Sequence, residues 1–249
     1  DFFNNYLDKF KKKIIKYLIK LRYPKATTVI GVSKKLSKDL SKFIYRPVKT
    51  IYSPSYDNKI LKKSREKLNL RKNFKYIVNV SRFSKRKDHK TTLKAFEIIL
   101  KKIKNINLIL IGYGPELNEI RLLSKKMKIS KNIIIINKTY NPYKYMKRSN
   151  LVILTSVYEG FPNVLTEALT IGTPVITTNS NAGASEILLS GKGGDLIKIR
   201  DYKNLAKKII KYFNNPTKLK NKTIFAQKKL YRFGIERHGK IYSKLFQKI

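Results

Sequence analysis

Two glutamates, Glu159 and Glu167, flank the segment Gly160-Phe161-Pro162-Asn163-Val164-Leu165-Thr166. Before them runs Leu151 to Leu154, a continuous apolar stretch that reads as a buried strand. After them an amphipathic helix begins. Gly160 and Pro162 predict a turn between the two. Asn163 is expected to be the helix N-cap, which puts Glu167 near the first turn. One carboxylate would thus sit on the turn and one on the helix. A helix N-terminus offers free N–H groups and a positive dipole end, which favour a diphosphate. A carboxylate accepts two hydrogen bonds at once, so it can take both hydroxyls of a ribose or a sugar. Together these suit a nucleotide sugar. A solvated carboxylate pair at a helix start is the bland alternative.

Cations lie at a matching place earlier in the chain. Arg82 and Lys87 follow a strand, Tyr76 to Val80, and precede a helix with Leu93, Ala95, Phe96, Ile99, Leu100 and Ile103 on one face. Arg presents a fork of donors to phosphate, and Lys adds a point charge. Among 57 Lys and Arg residues the spacing alone means nothing; its place between strand and helix gives it weight. A third strand-to-turn junction is Asn107 to Ile111 followed by Gly112-Tyr113-Gly114-Pro115. Glycines there serve mostly backbone geometry. A fourth is Asn132 to Ile136 followed by Asn137 and Lys138. Asn tolerates a left-handed backbone, so Asn137 could stand in for a glycine. Glu186 reads as a residue that caps or orients a loop. His89 and His238 have no metal-ligand spacing and read as structural or surface residues.

In this order the segments resemble the retaining family 4 glycosyltransferases, with their E-x7-E motif, over about residues 26 to 213. The resemblance implies that Glu167 holds the ribose hydroxyls and that Glu159 faces the donor sugar near the reacting centre. Backbone groups around Gly160, Phe161, Pro162, Asn163 and Val164 would meet the sugar and its phosphates. Arg82 and Lys87 would clamp the diphosphate of a UDP- or GDP-sugar and stabilise charge on the leaving group. Gly112 would belong to the donor loop, and Asn137 and Lys138 to the loop that meets the base. Ser81 and Asn137 stand where the family usually has Gly. No metal or other cofactor is expected, since the cations can do this work and no aspartate cluster suggests one.

These residues need a frame. Strands expected near 76–80, 107–112, 132–136, 150–154, 174–178 and 194–197 alternate with amphipathic helices. Continuous apolar strands of this kind imply an α/β fold, a Rossmann-like parallel sheet with helices on both faces. Ligands bind such sheets at the carboxyl ends of the strands, where the candidate residues converge. By resemblance this is the donor-binding half of a GT-B enzyme, preceded by a remnant of a second Rossmann-like domain. Residues 1–46 would end that acceptor-side domain, 47–58 would be a linker, and 59–215 would bind the nucleotide sugar. Residues 216–249 would form two basic amphipathic helices that cross back. Residues 1 to 22 read as a helix with Phe3, Tyr6, Leu7, Phe10, Ile14, Tyr17, Leu18 and Leu21 on one side, expected to pack on a domain, with a membrane-surface role as the alternative.

The formal net charge is +42, and hydrophobic residues make up 42% of the chain. There are no cysteines, hence no disulfides and no thiolate metal site. No run reaches the roughly 18 apolar residues of a membrane span. Abundant Lys, Ile, Asn and Tyr match an AT-rich genome, which accounts for much of the charge. The field still attracts anions. Specific nucleic acid binding is not expected, because the lysines spread over every helix instead of forming one stripe. An anionic membrane surface fits better and implies a place in the cytoplasm at the inner face of the membrane. The partners implied are a nucleotide-sugar donor and a lipid-linked or glycan acceptor, as in lipopolysaccharide or capsule synthesis. The chain reads as a fragment, a truncated gene or one part of a split enzyme with a separate amino-terminal half. It is expected to bind donor weakly and turn over poorly alone. A non-catalytic nucleotide-sugar-binding subunit, a polyanion binder with a degenerate site, and a sugar-nucleotide epimerase stay open.

Overall fold

The computed structural model describes residues 9–180 and 183–247. Phe3, Tyr6 and Leu7 of the expected first helix, and Asn181 and Ala182, lie outside those residues. The chain opens with α1 (Lys9–Arg22), β1 (Ile30–Gly31), α2 (Lys34–Ile44) and β2 (Lys49–Thr50). Then α3 (Asn58–Ser64), β3 (Lys75–Val80), α4 (His89–Leu100), β4 (Ile106–Ile111), α5 (Leu117–Lys126) and β5 (Ile133–Ile136) follow. The second half holds α6 (Tyr143–Arg148), β6 (Leu151–Leu154), α7 (Asn163–Ile171), β7 (Val175–Thr178), α8 (Ala184–Ile187) and β8 (Asp195–Ile197). Three helices close the chain: α9 (Tyr202–Asn214), α10 (Thr217–Gln227) and α11 (Ile235–Phe246).

Six strands form one parallel sheet in the order β5-β4-β3-β6-β7-β8. The strands are apolar on both faces, as a doubly covered sheet requires. Side chains alternate between two cores. Ile77, Leu108 and Leu110 join Leu93, Phe96, Ile99, Leu205 and Ile209, from α4 and α9, on one face. Val78, Ile109 and Ile111 join Met146, Leu165, Leu169 and Ile187, from α6, α7 and α8, on the other. From β3 the chain winds outward through β4 and β5, then returns to β6 on the opposite side of β3. This is the order of a doubly wound fold, and the β3–β6 junction is its topological switch point.

A second, two-stranded sheet pairs β1 with β2, Ile30 against Lys49 and Gly31 against Thr50. Part of the 47–58 segment therefore pairs with β1. The Arg46 guanidinium ties the preceding loop by donating to the carbonyls of Pro24, Ala26 and Thr27. The tail meets residues 52–56. Ser55 and Tyr56 N–H donate to the Phe233 carbonyl, each at 3.0 Å, and Ile235 N–H donates to that of Tyr56.

Two expectations are corrected here. The first helix forms, but its apolar stripe is not covered: Ile14, Tyr17, Leu18 and Leu21 are exposed. The tail helix α10 is not cleanly amphipathic. It buries Leu219, Thr223 and Ala226 while Ile224 and Phe225 stay exposed, because the apolar residues 224 and 225 follow the buried Thr223 in sequence and so turn away from the buried side. Of the two readings left open for the histidines, the structural one holds: both are buried. His238 is buried and bonds the Gly234 carbonyl through Nδ1 at 2.8 Å.

Candidate functional site

All four strand-end loops named from the sequence open on the carboxyl edge of the sheet. The loop after β3 and the loop after β6 are stitched together across the switch point. Val157 N–H donates to the Arg86 carbonyl at 2.8 Å. The Thr155 hydroxyl lies 3.0 Å and 2.9 Å from the carbonyl oxygens of Lys87 and Asp88. It also meets the Thr92 hydroxyl at 2.9 Å. Asp88 caps α4 by accepting from Thr91 N–H and from the Thr91 hydroxyl, at 3.2 Å and 2.6 Å.

This stitching brings Lys87 onto Glu159. The two form an ion pair, and Ser156 donates its hydroxyl to the same carboxylate oxygen at 2.6 Å. Both side chains are largely buried, 15% and 8% exposed, so solvent screens the pair little. Ser156 is in turn held through its carbonyl, which accepts from Thr178 at 2.6 Å. Sequence reasoning missed Ser156. The only available signal was its place directly after β6, three residues before Glu159.

Arg82, Gly112, Asn137 and Lys138 line one cavity of 310 Å³, together with Val80, Ile111, Tyr113, Thr139 and Pro142. Arg82 is exposed and, among the described residues, forms no ion pair or hydrogen bond. Gly112 has a packing reason to be glycine. Its φ is +157°, and a Cβ there would lie 1.9 Å from the Ser81 carbonyl oxygen. The loops after β3 and β4 touch at this point. Ser81 does not need glycine's freedom because its φ is not positive; its hydroxyl donates to Asn79 at 2.8 Å and lies 3.1 Å from His89 Nε2. Burial, and then the Lys87 charge, lower the His89 pKa to about 4, so the ring is neutral. Asn137 does not take a left-handed backbone, so the reason expected for an asparagine there does not hold.

Glu167 lies one turn into α7. Asn163 is the first helical residue and Pro162 takes the N-cap position without a side-chain cap. The expected Asn163 cap is thus replaced by uncapped N–H groups, since the proline already fixes the entry to the helix. Glu167 is half-buried. Burial raises its pKa to about 7, and no described residue donates to it. Tyr143 is close enough for the Glu167 charge to raise its pKa, after burial. Of the turn itself, Phe161 packs its ring against Tyr52 and Phe233, at centroid distances of 5.8 Å and 5.2 Å. Val164 is half-buried beside the same core, and a Cβ on Gly160 would meet Val32 at 3.6 Å. Glu159, buried and ion-paired, is no solvated carboxylate, and Glu167 is half-buried.

The family model for glycosyl transferases group 1 matches residues 61–229. The chain belongs to this family. It is 31% identical over 193 residues to a Campylobacter jejuni N-acetylgalactosamine-N,N'-diacetylbacillosaminyl-diphospho-undecaprenol 4-alpha-N-acetylgalactosaminyltransferase, covering 76% of this chain and 52% of that one. It is 26% identical over 222 residues to the N-acetyl-alpha-D-glucosaminyl L-malate synthase of Bacillus anthracis, covering 86% and 57%. The chain thus spans about half the length of these relatives. Its fold matches the crystal structure of Anabaena HepE in complex with UDP and glucose, with a TM-score of 0.83 at 18% identity over 98% of this group 1 chain and 68% of that one. The Rossmann-like parallel sheet expected from the strand pattern, and the GT-B fold that the resemblance implied, are therefore the ones observed.

Proposed function

We propose that the chain binds a nucleoside-diphosphate sugar at the carboxyl edge of β3, β4, β5 and β6, as the donor half of a sugar transfer to an acceptor hydroxyl. The observation that carries this is the switch-point arrangement itself. A buried Lys87–Glu159 pair, an Arg82 with no ion pair among the described residues, and a Glu167 to which no described residue donates all follow β3 or β6, the two strands of the switch point. Arg82 and Lys87 take the diphosphate and neutralise charge as it leaves, and uncapped N–H groups of α7 add to that field. Glu167 takes the ribose hydroxyls. Glu159, oriented by Ser156, faces the donor sugar, and the resemblance assigns retention of configuration. The base enters the cavity lined by Asn137 and Lys138. These cations supply the leaving-group stabilisation without a metal.

The acceptor belongs to the cell envelope and is lipid-linked or glycan, in line with the diphospho-undecaprenol in the name of the Campylobacter relative. The protein works in the cytoplasm at the inner face of the membrane. Exposed Ile14, Tyr17, Leu18 and Leu21, beside Lys11, Lys13 and Lys20, support contact with an anionic surface. An amino-terminal half, in the same chain or another, supplies the acceptor site.

Calorimetric titration with UDP, GDP and their sugar conjugates, at moderately high salt, tests the donor reading. Salt suppresses generic attraction between a +42 protein and phosphate. Base-selective binding that Glu167→Ala weakens at least tenfold supports it. Equal, weak binding by both proteins overturns it, and binding seen only at low salt favours a polyanion binder.

A further inference from the structure

Glu186 sits on the short α8, yet its carboxylate caps a helix far away in sequence. Lys34 N–H donates to Oε2 and Lys35 N–H donates to Oε1, each at 3.0 Å. Both are free N–H groups in the first turn of α2, and Ser33 Oγ accepts the next one, from Leu36, at 3.3 Å. A carboxylate on a helix N-terminus also meets the positive dipole end. The α2 helix and the small β1–β2 sheet are thereby tied to the large domain through one side chain.

The mount of Glu186 leads straight to the donor turn. Gly183 N–H donates to the Gly160 carbonyl at 3.2 Å, and a Cβ on Gly183 would lie 2.8 Å from Phe161 Cα. At Gly183 the two loops are in backbone contact, with no room for a side chain there. Behind α8 the Arg232 guanidinium donates to the carbonyls of Glu186 and Ile187, both at 3.4 Å, and lies 4.6 Å from the Phe233 ring centroid. Phe233 packs on Phe161 and on Tyr52, with centroid distances of 5.2 Å in both cases. Tyr52 follows β2 closely, so this aromatic group is a second tie between the small sheet and the turn. Burial, and then the Glu186 charge, raise the Tyr52 pKa to about 12.

We propose that Glu186 is a positioning residue that transmits occupancy of the donor turn to the acceptor-side α2 segment, without touching the donor. A donor bound at residues 160–164 shifts or stiffens the turn. The Gly160–Gly183 contact passes this to α8, and the carboxylate passes it to the amides of Lys34 and Lys35. This rests on the donor-binding reading above. The coupling gives the bound donor a means of setting where the acceptor-side segment stands, which a transfer between two substrates needs.

Amide hydrogen exchange on the full chain, with and without saturating UDP or GDP at moderately high salt, separates the outcomes. In the wild type the nucleotide is expected to slow exchange at residues 160–167 and also at 34–37. In Glu186→Ala the first response stays and the second falls at least tenfold. Glu186→Gln, which keeps the shape and one acceptor oxygen, should fall between. A purely structural cap would change the nucleotide-free exchange of Lys34 and Lys35 but leave the nucleotide-dependent difference intact. That result overturns the proposal, as does a wild type that responds only at 160–167. A wild type with no response anywhere overturns the donor reading and this inference together. Unchanged exchange in β4 verifies that each variant is folded.

Discussion

Glu167 combines two properties that pull against each other: burial holds its pKa near 7, and its proposed task needs the ionised form. The raised pKa means the folded state holds the proton more tightly than the unfolded chain, where the group titrates near 4.5. Stability therefore falls as pH rises from 4.5 through 7 and levels off above. Glu167→Gln should raise stability at pH 8 by up to about 3 kcal/mol, read from denaturant melts, and change little at pH 4. Binding runs the other way. Affinity for a nucleotide sugar, whose phosphates do not titrate here, should rise about tenfold from pH 6 to 8 in the wild type. In Glu167→Gln it should be weak and flat. A wild-type profile as flat as the variant's would remove Glu167 from the ribose. The types and spacing of Glu159, Glu167, Arg82 and Lys87 were legible in the sequence because Arg82, Lys87 and Glu159 follow strand ends and Glu167 falls in the first turns of the next helix. The Lys87–Glu159 pair and its Ser156 partner were not, since they join loops 72 residues apart that meet only when β3 pairs with β6.

At the scale of elements, the site depends on strand-end loops that touch each other. The contact of Gly112 with Ser81 is the tightest, backbone against backbone, where no side chain can rotate away. Gly112→Ala should cost about 2–4 kcal/mol and weaken nucleotide binding, because both loops line the cavity. Thermal melts and the same titration read both effects; a variant as stable as the wild type would show that the loops adapt. Strands were legible from their continuous apolar runs, and the glycines from their place at strand ends. The start of α7 was less so. Asn163 carries the N-cap preference, but Pro162 stands before it with a fixed φ, and the proline decided the boundary. At Asn137 the argument from a tolerated left-handed backbone failed because the loop turns without one.

For the whole molecule, the doubly wound order places every candidate residue on one edge of the sheet, and the charge surrounds it. A +42 protein draws any phosphate, so position has to be separated from attraction. The opposite edge shows the contrast: Asp195 opens β8 and pairs there with Lys208 and Lys222, at 3.2 Å and 2.5 Å, in a small pocket of 150 Å³. At the other end of the chain, the exposed stripe of α1 corrects the packing expected for it. That expectation rested on the helix period alone, which cannot say what the apolar face meets. Vesicle sedimentation tests its proposed role. The chain should bind vesicles containing an acidic lipid and not neutral ones, and Leu18→Asp should weaken that binding several-fold. Equal binding of both proteins would leave charge alone as the cause. The central claim is tested most directly by a crystal structure of the chain soaked with UDP or GDP. The account predicts ribose hydroxyls on the Glu167 carboxylate and phosphates beside Arg82 and Lys87. Nucleotide found instead in the lysine-lined pocket at Asp195, with the switch point empty, would contradict it.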